Sequence, residues 1–282
     1  MKYYHVYTKG LEKGIIFRNR DDYVAGMNLV AVSHFKTGVR ILAFVLMSNH
    51  FHFVIYGRKS DVVRFINLYK TILSRYILHR YGESAFLNGV ETSCDEIDLS
   101  DEGLKKVIAY VLDNPVKAGI GCLASNYEWG SGSCYFSGSV DKSLGIPLCK
   151  LSTRNSRKIL HSGVLMPSMY RLNDKGYVAP SSYVDAGLVE NIFGRAKSFE
   201  YFLATSASSR QSRKDVLMFS DAFVSSALDE ILRTKYGAPI DQLDEGMLKS
   251  LLLDLRKHFN ASAKQLSRVT GLSLKFVLSA LD

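Results

Sequence analysis

The sequence predicts an α+β fold, with a ferredoxin-like antiparallel sheet in residues 1–145 and an all-α domain in 146–282 that ends in a helix-turn-helix. Three observations lead there. Residues near 3–9 alternate like a strand and 39–47 and 50–56 are apolar, β-rich runs; apolar residues recur at helical spacing over 20–35 and 61–81; and the pattern beyond Leu151 is dominantly helical.

Residues 3–9 read as a first strand and Gly14-Ile-Ile-Phe17 as a short second one. Arg20 to about Phe35 carries Tyr23, Met27, Val30, Ala31 and Phe35 on one helical stripe. Val39 to Met47 is rich in β-formers. Ser48-Asn49 suits a tight turn because Asn tolerates positive φ, and the chain returns as a strand over His50 to Tyr56. Asp61 to Tyr81 sets Val62, Phe65, Ile66, Tyr69, Leu73 and Tyr76 on one face, interleaved with Arg64, Lys70, Arg75 and Arg80. That basic face either tracks phosphates or is simply solvated.

Cys94 to Asp101 is acidic and reads as irregular. Glu102 to Leu112 forms a further helix that Asn114-Pro115 ends, because the residue before proline is driven from the α region. Glycine and serine cluster from Trp129 to Gly138 as an ordinary loop; a phosphate cradle would need a helix directly after it. Helices follow at Ser182 to Phe193, Phe199 to Thr205, Asp221 to Tyr236 and Asp244 to Phe259, with Ser206 to Lys214 as an exposed connection.

At about 261–282 the pattern fits a helix-turn-helix. Leu266 and Val269 face inward, Gly271 makes the turn, Leu272 packs beneath it, and Val277 and Leu281 anchor the second helix. Ser273, Lys275 and Phe276 then point outward toward a duplex groove, with Lys264 and Arg268 near phosphates. A structural or dimerising role for this hairpin is the competing reading.

Composition narrows the classes. The formal charge of +9 favours polyanionic partners such as nucleic acid through counterion release. No stretch approaches the roughly 18 apolar residues of a membrane helix. The amino terminus lacks the apolar core and cleavage site of a signal peptide, so a cytoplasmic protein that does not bind membranes is expected. Cysteines 94, 122, 134 and 149 include no C-x-x-C pair, which speaks against a zinc site or a disulfide framework.

Chemistry concentrates in two places. His50 and His52 flank Phe51 within an apolar strand, so both imidazoles project from one face and make half a metal site. Tyr110 and Asn114 lie four residues apart on one helical face. A phenol is a weak nucleophile unless its phenolate is stabilised or its target polarised. A divalent ion held by His50, His52 and the Asn114 oxygen would polarise a phosphate for attack by Tyr110. Taken without the histidines, Tyr110 is a half-buried helix tyrosine and Asn114 a helix cap. His5, on a neighbouring strand, either supports a ligand or merely packs.

Four ordered motifs carry a family resemblance. They are Tyr4-His-Val-Tyr-Thr-Lys-Gly10, Ile16-Phe17 with Asp21-Asp-Tyr23, Leu46-Met-Ser-Asn-His-Phe-His52 and Tyr110-Val-Leu-Asp-Asn-Pro-Val-Lys-Ala-Gly119, continued by Tyr127-Glu-Trp129, Ser131 and Tyr135. In this order the chain resembles the REP-associated tyrosine transposases, relatives of the single-strand insertion-sequence transposases, over about residues 3 to 136. The resemblance implies the HUH endonuclease form of a ferredoxin-like sheet. It implies Mg²⁺ or Mn²⁺ on His50 and His52 with help from Asn114, and Tyr110 as nucleophile.

The implied reaction is cleavage of single-stranded DNA to a 5′-phosphotyrosine and a free 3′-hydroxyl, reversible by a second 3′-hydroxyl, on hairpins of palindromic repeats. It also implies either a monomer or a homodimer that exchanges tyrosine helices. Two departures stand out. The family's arginine-containing segment between Phe86 and Glu102 is replaced by Leu87 to Asp98, so a DNA contact there is lost or substituted, and the resemblance does not reach the extension beyond residue 150. Two alternatives survive on sequence: a non-catalytic DNA-binding regulator acting through the helix-turn-helix, and an unrelated histidine-metal hydrolase using water.

Overall fold

The computed structural model describes residues 1–8, 15–82, 90–118, 120, 123–136, 145–208, 221–259 and 261–281. Strand β1 (Lys2–Thr8) lies between β3 (Phe51–Gly57) and β4 (Thr92–Glu96), and β2 (Arg40–Leu46) flanks β3. The result is a four-stranded antiparallel sheet in the order β2-β3-β1-β4.

Alternation along the strands sorts their side chains between two faces. Tyr4, Val6, Phe51, Phe53 and Ile55 turn to α1 (Arg20–Thr37) and α2 (Lys59–Tyr81), where Phe53 meets Phe65 at 5.2 Å between ring centroids and Phe51 meets Tyr69 at 5.1 Å. His5, Tyr7 and His52 take the other face, which α3 (Gly103–Leu112) partly covers.

Helix α1 begins at Asn19, whose side chain accepts from Asp22 N, and stops at Gly38, which holds the left-handed φ of 67° that ends helices cheaply. Buried Asp22 ties α1 to α2. It accepts from Tyr76 and Tyr81 hydroxyls at 3.0 and 2.7 Å and from Arg18 N at 2.9 Å. Gly26 is set by packing, since a Cβ there would fall 2.5 Å from the Phe17 ring.

Three sequence expectations are corrected. Residues 15–17 are not a strand, and Gly14 lies outside the described residues; Ile16 and Phe17 are buried and donate their amides to Ser48 O at 2.6 and 2.9 Å. The acidic stretch from Cys94 is not irregular at its start, because Cys94, Asp95 and Glu96 complete β4. As an edge strand it pairs through its backbone, and Asp95 and Glu96 mark it in the way edge strands are commonly charged. Helix α3 ends at Leu112, as expected, but Asn114 is not driven from the α region. After Asp113 the chain turns directly into the short α4 (Asn114–Lys117), with proline in its first turn, where no amide proton is needed.

The glycine and serine segment covers the free edge of β2. Leu46 N donates to Trp129 O, Ser131 N to Phe44 O, and the Tyr127 and Tyr135 hydroxyls to Leu46 O and Leu42 O. A Cβ on Gly130 would lie 2.9 Å from Phe44 O, so glycine permits this close approach.

The expected boundary after 145 falls inside one hydrophobic core. The short pair β5 (Ile146–Pro147) and β6 (Arg171–Leu172) brackets α5 (Thr153–Leu160), and α6 (Ala186–Phe193) and α7 (Ala196–Ser208) follow. Leu148, Leu160, Tyr183, Val189, Phe193, Phe199 and Phe202 bury against the sheet and its helices, because these short elements have too little apolar surface to close a core alone.

A separate cluster unites α8 (Asp221–Ile231), α9 (Glu245–Phe259), α10 (Ala263–Thr270) and α11 (Leu274–Leu281) around Val224, Leu251, Leu255, Leu266 and Val277. Gly271, with φ of 73°, turns α10 into α11. The connection expected at 206–214 is helical through Ser208, and its remainder lies outside the described residues. Among the described residues no helix is long and apolar enough to cross a membrane.

Candidate active site

On the sheet face away from α1 and α2, antiparallel register sets Tyr7 directly opposite His52 and puts His5 on the diagonal. His52 stacks with His5 and with Tyr7, at 5.2 and 5.7 Å between centroids, and His5 and Tyr7 meet tilted at 4.7 Å. His5 Nε2 lies 3.0 Å from His52 Nδ1, so one imidazole donates to the other. Tyr7 donates its hydroxyl to Asp95 of β4 at 3.0 Å.

His50 stands just before β3, in a turn closed by Met47 N donating to His50 O at 2.8 Å. Its ring meets His52 edge-on at 5.1 Å. His50 Nδ1 is 2.9 Å from Asn49 Oδ1, and a carbonyl oxygen only accepts. Nδ1 therefore carries the proton and Nε2 the lone pair.

Burial pushes His5 and His50 down to about 4. At His50 the Arg268 charge adds to that, while a hydrogen bond with Asn114 and the Asp221 carboxylate oppose it. Burial holds His52 well below its ordinary value, reinforced by His50, His5 and Lys117. All three rings are neutral near pH 7, the form that ligates metals.

Helix α3 supplies Tyr110, 42% exposed, whose ring meets both His5 and His52 edge-on at 5.8 Å. One turn on, Asn114 Nδ2 donates to Tyr110 O at 2.9 Å and to Val111 O at 3.3 Å, and the same side chain hydrogen-bonds with His50. Lys117 of α4 holds its ammonium 4.4 Å from the Tyr110 ring centroid. It donates to Ser206 Oγ of α7 at 2.8 Å and lies 3.4 Å from the buried Asp113 carboxylate, whose pKa burial raises and Lys117 pulls back.

Among the described residues no three His, Cys, Asp or Glu side chains are grouped to hold a metal. What the geometry offers is two neutral imidazoles, His50 and His52, with the amide oxygen of Asn114. His52 would ligate through Nε2, because its Nδ1 is engaged by His5. Such a neutral set suits a divalent ion that completes its shell from phosphate or water oxygens.

The helical tail reaches this turn. Asp221, 5% exposed, accepts from Ser48 Oγ at 2.8 Å and from Arg268 Nε and an Arg268 terminal nitrogen at 2.9 and 3.0 Å. Arg268 is therefore turned inward to a carboxylate and not outward toward phosphates as the sequence suggested. Phe276 is likewise half-buried against the tail's own core. Lys264, Ser273 and Lys275 are exposed, and Ser273 Oγ caps α11 by accepting from Phe276 N.

Sequence reasoning brought His50, His52, Tyr110 and Asn114 to one place. It assigned nothing to Lys117, Asp113, Ser206 or Asp221; Asp113 and Lys117 lay within a recognised motif, and no spacing signal marks Ser206 or Asp221. Motif residues Lys9, Gly10 and Gly119 lie outside the described residues.

No protein-family model matches the chain, and no curated protein does. Among solved structures the chain is similar to that of the REP-associated tyrosine transposase bound to a REP hairpin, at 13% identity and a TM-score of 0.33, over 46% of this chain and 74% of that one. A likeness this distant carries no argument about activity.

Proposed function

We propose that the protein is a metal-dependent single-stranded DNA endonuclease and strand transferase of the transposase type, acting through a 5′-phosphotyrosine on hairpin-forming repeat DNA. The observation that carries this reading is the convergence of the half-exposed Tyr110 on His52 and His5, with His50 and Asn114 completing the same cluster. The four ordered sequence motifs support it independently, since these residues fall at their chemically significant positions.

The strand order β2-β3-β1-β4, with α1 and α2 packed on one face, supports the ferredoxin-like reading of the sheet. Residues up to 208 form the catalytic unit, and 221–281 a terminal helical one. Within the latter, the α10–α11 pair serves as a helix-turn-helix that meets flanking duplex through Lys264, Ser273 and Lys275.

His50, His52 and Asn114 would hold Mg²⁺ or Mn²⁺, and imidazole ligands suit Mn²⁺ better. When bound, the ion supplies Lewis-acid polarisation of the scissile phosphate. Tyr110 Oη forms a bond to phosphorus as the P–O3′ bond breaks; the phenol loses its proton and the departing 3′-oxygen is protonated. The phosphodiester energy stays in the adduct, so a second 3′-hydroxyl can displace Tyr110 and join strands. Lys117 sets a positive charge beside the phenol and hence beside any phosphate it attacks.

The test is incubation with a single-stranded repeat oligonucleotide and Mn²⁺, followed by a denaturing gel. A protein-linked DNA species that disappears in Tyr110→Phe is expected. An adduct that survives that substitution, or no adduct on any suitable DNA, overturns the reading and favours the regulator or the water-using hydrolase.

A further inference from the structure

Between Asp141 and Asp174 the sequence carries Lys142, Lys150, Arg154, Arg157, Lys158 and Arg171 and no acidic residue at all. Within this stretch α5 displays Arg154, Arg157 and Lys158 on its exposed side. Their spacing of three and four makes them neighbours on the helix surface. Among the described residues no carboxylate pairs with any of the three. Unpaired cations on a surface helix usually mean a solvated face, so charge alone decides nothing.

Two further observations separate this helix from an ordinary solvated one. It is pinned: buried Asn28 of α1 donates Nδ2 to Ile159 O at 3.0 Å and accepts from Val178 N at 2.8 Å, while Ser156 and Leu160 bury beneath the basic side. It also borders a cleft of about 490 Å³ lined by Tyr76, Arg80, Asn155, Lys158 and His161. The carboxylate at that cleft, Asp21, is occupied by Arg80 at 3.0 Å.

We propose that α5 and the adjoining end of α2 form a rigid platform for the phosphate backbone of duplex DNA, the stem of the hairpin substrate. This rests on the proposed DNA-cleaving function and extends it to a segment the sequence resemblance does not reach. Guanidinium groups match phosphate oxygens in fork geometry, and a helix whose backbone is already ordered loses little main-chain freedom on binding. The platform belongs to the α1 and α2 side of the sheet, so the single-stranded flank passes round the sheet edge to Tyr110.

The experiment measures affinity for a labelled DNA hairpin with a single-stranded flank as a function of salt, using the full chain. Arg154→Gln, Arg157→Gln and Lys158→Gln combined should make the slope of log K against log salt shallower by about two to three and weaken binding about tenfold or more at moderate salt. Adduct formation on a short single-stranded oligonucleotide should not change. A control removing equal charge elsewhere, Arg195→Gln, Lys197→Gln and Arg256→Gln, should leave the slope as it is.

A wild-type slope in the α5 variant, or an equal change in the control, overturns the platform. Absence of adduct in the wild-type protein with the slope change intact would instead sink the cleavage reading and leave the platform standing.

Discussion

His5 Nε2 and His52 Nδ1 lie 3.0 Å apart across the β1–β3 pair. If His52 is to offer Nε2 to a metal, its Nδ1 must carry the proton and donate to His5, so His5 selects the ligating tautomer. Replacing His5 by Ala should therefore weaken Mn²⁺ binding about tenfold to a hundredfold, read by calorimetry on DNA-free protein. His5→Gln, which keeps an acceptor, should recover part of it. Equal affinity in His5→Ala would reduce His5 to a packing residue.

Lys117 bridges three elements of the site, meeting Tyr110, Asp113 and Ser206. Lys117→Met should slow adduct formation about a hundredfold, the scale of losing one fixed charge-stabilising group, while Mn²⁺ affinity stays near wild type. Lys117→Arg should restore much of the rate. A parallel loss of metal binding would show that Lys117 only maintains structure.

The depressed histidines make stability depend on pH. His5, His34 and His50 titrate at about 4 in the folded chain against 6.5 when free. Between those values the unfolded chain holds more protons, so their contribution is full above about 6.5 and is lost as pH falls through 4. The urea midpoint should drop clearly between pH 7.5 and pH 5, and His34→Gln should lessen the drop. A flat profile contradicts the assigned burial.

The Asp221–Arg268 pair joins the tail to Ser48 beside the histidine turn. Arg268→Ala leaves a nearly buried carboxylate and should cost about 3 kcal/mol in denaturant unfolding. The double variant with Asp221→Ala should lose less than the sum of the singles, as a direct pair requires. Strict additivity would mean the two side chains do not interact in solution.

Much of the site was legible because its chemistry is local in sequence. His50 and His52 share a strand face by period two, and Tyr110 and Asn114 share a helix face by a spacing of four. What stayed hidden depends on tertiary placement. Strand β4 pairs through its backbone at a sheet edge, so its composition resembles a loop. Arg268 looked like a phosphate contact because sequence shows its charge but not Asp221, forty-seven residues away. The division at residue 145 failed to match the core because α5, α6 and α7 carry apolar faces whose partners lie on the earlier elements.

In the proposed reaction Tyr110 is the group that becomes joined to DNA. Its most direct test is peptide mapping by mass spectrometry after reaction with a single-stranded repeat oligonucleotide and Mn²⁺, then nuclease trimming of the DNA. A nucleotide 5′-phosphate on Tyr110 alone is expected. A nucleotide on any other tyrosine, or cleaved DNA with unmodified protein throughout, would contradict it.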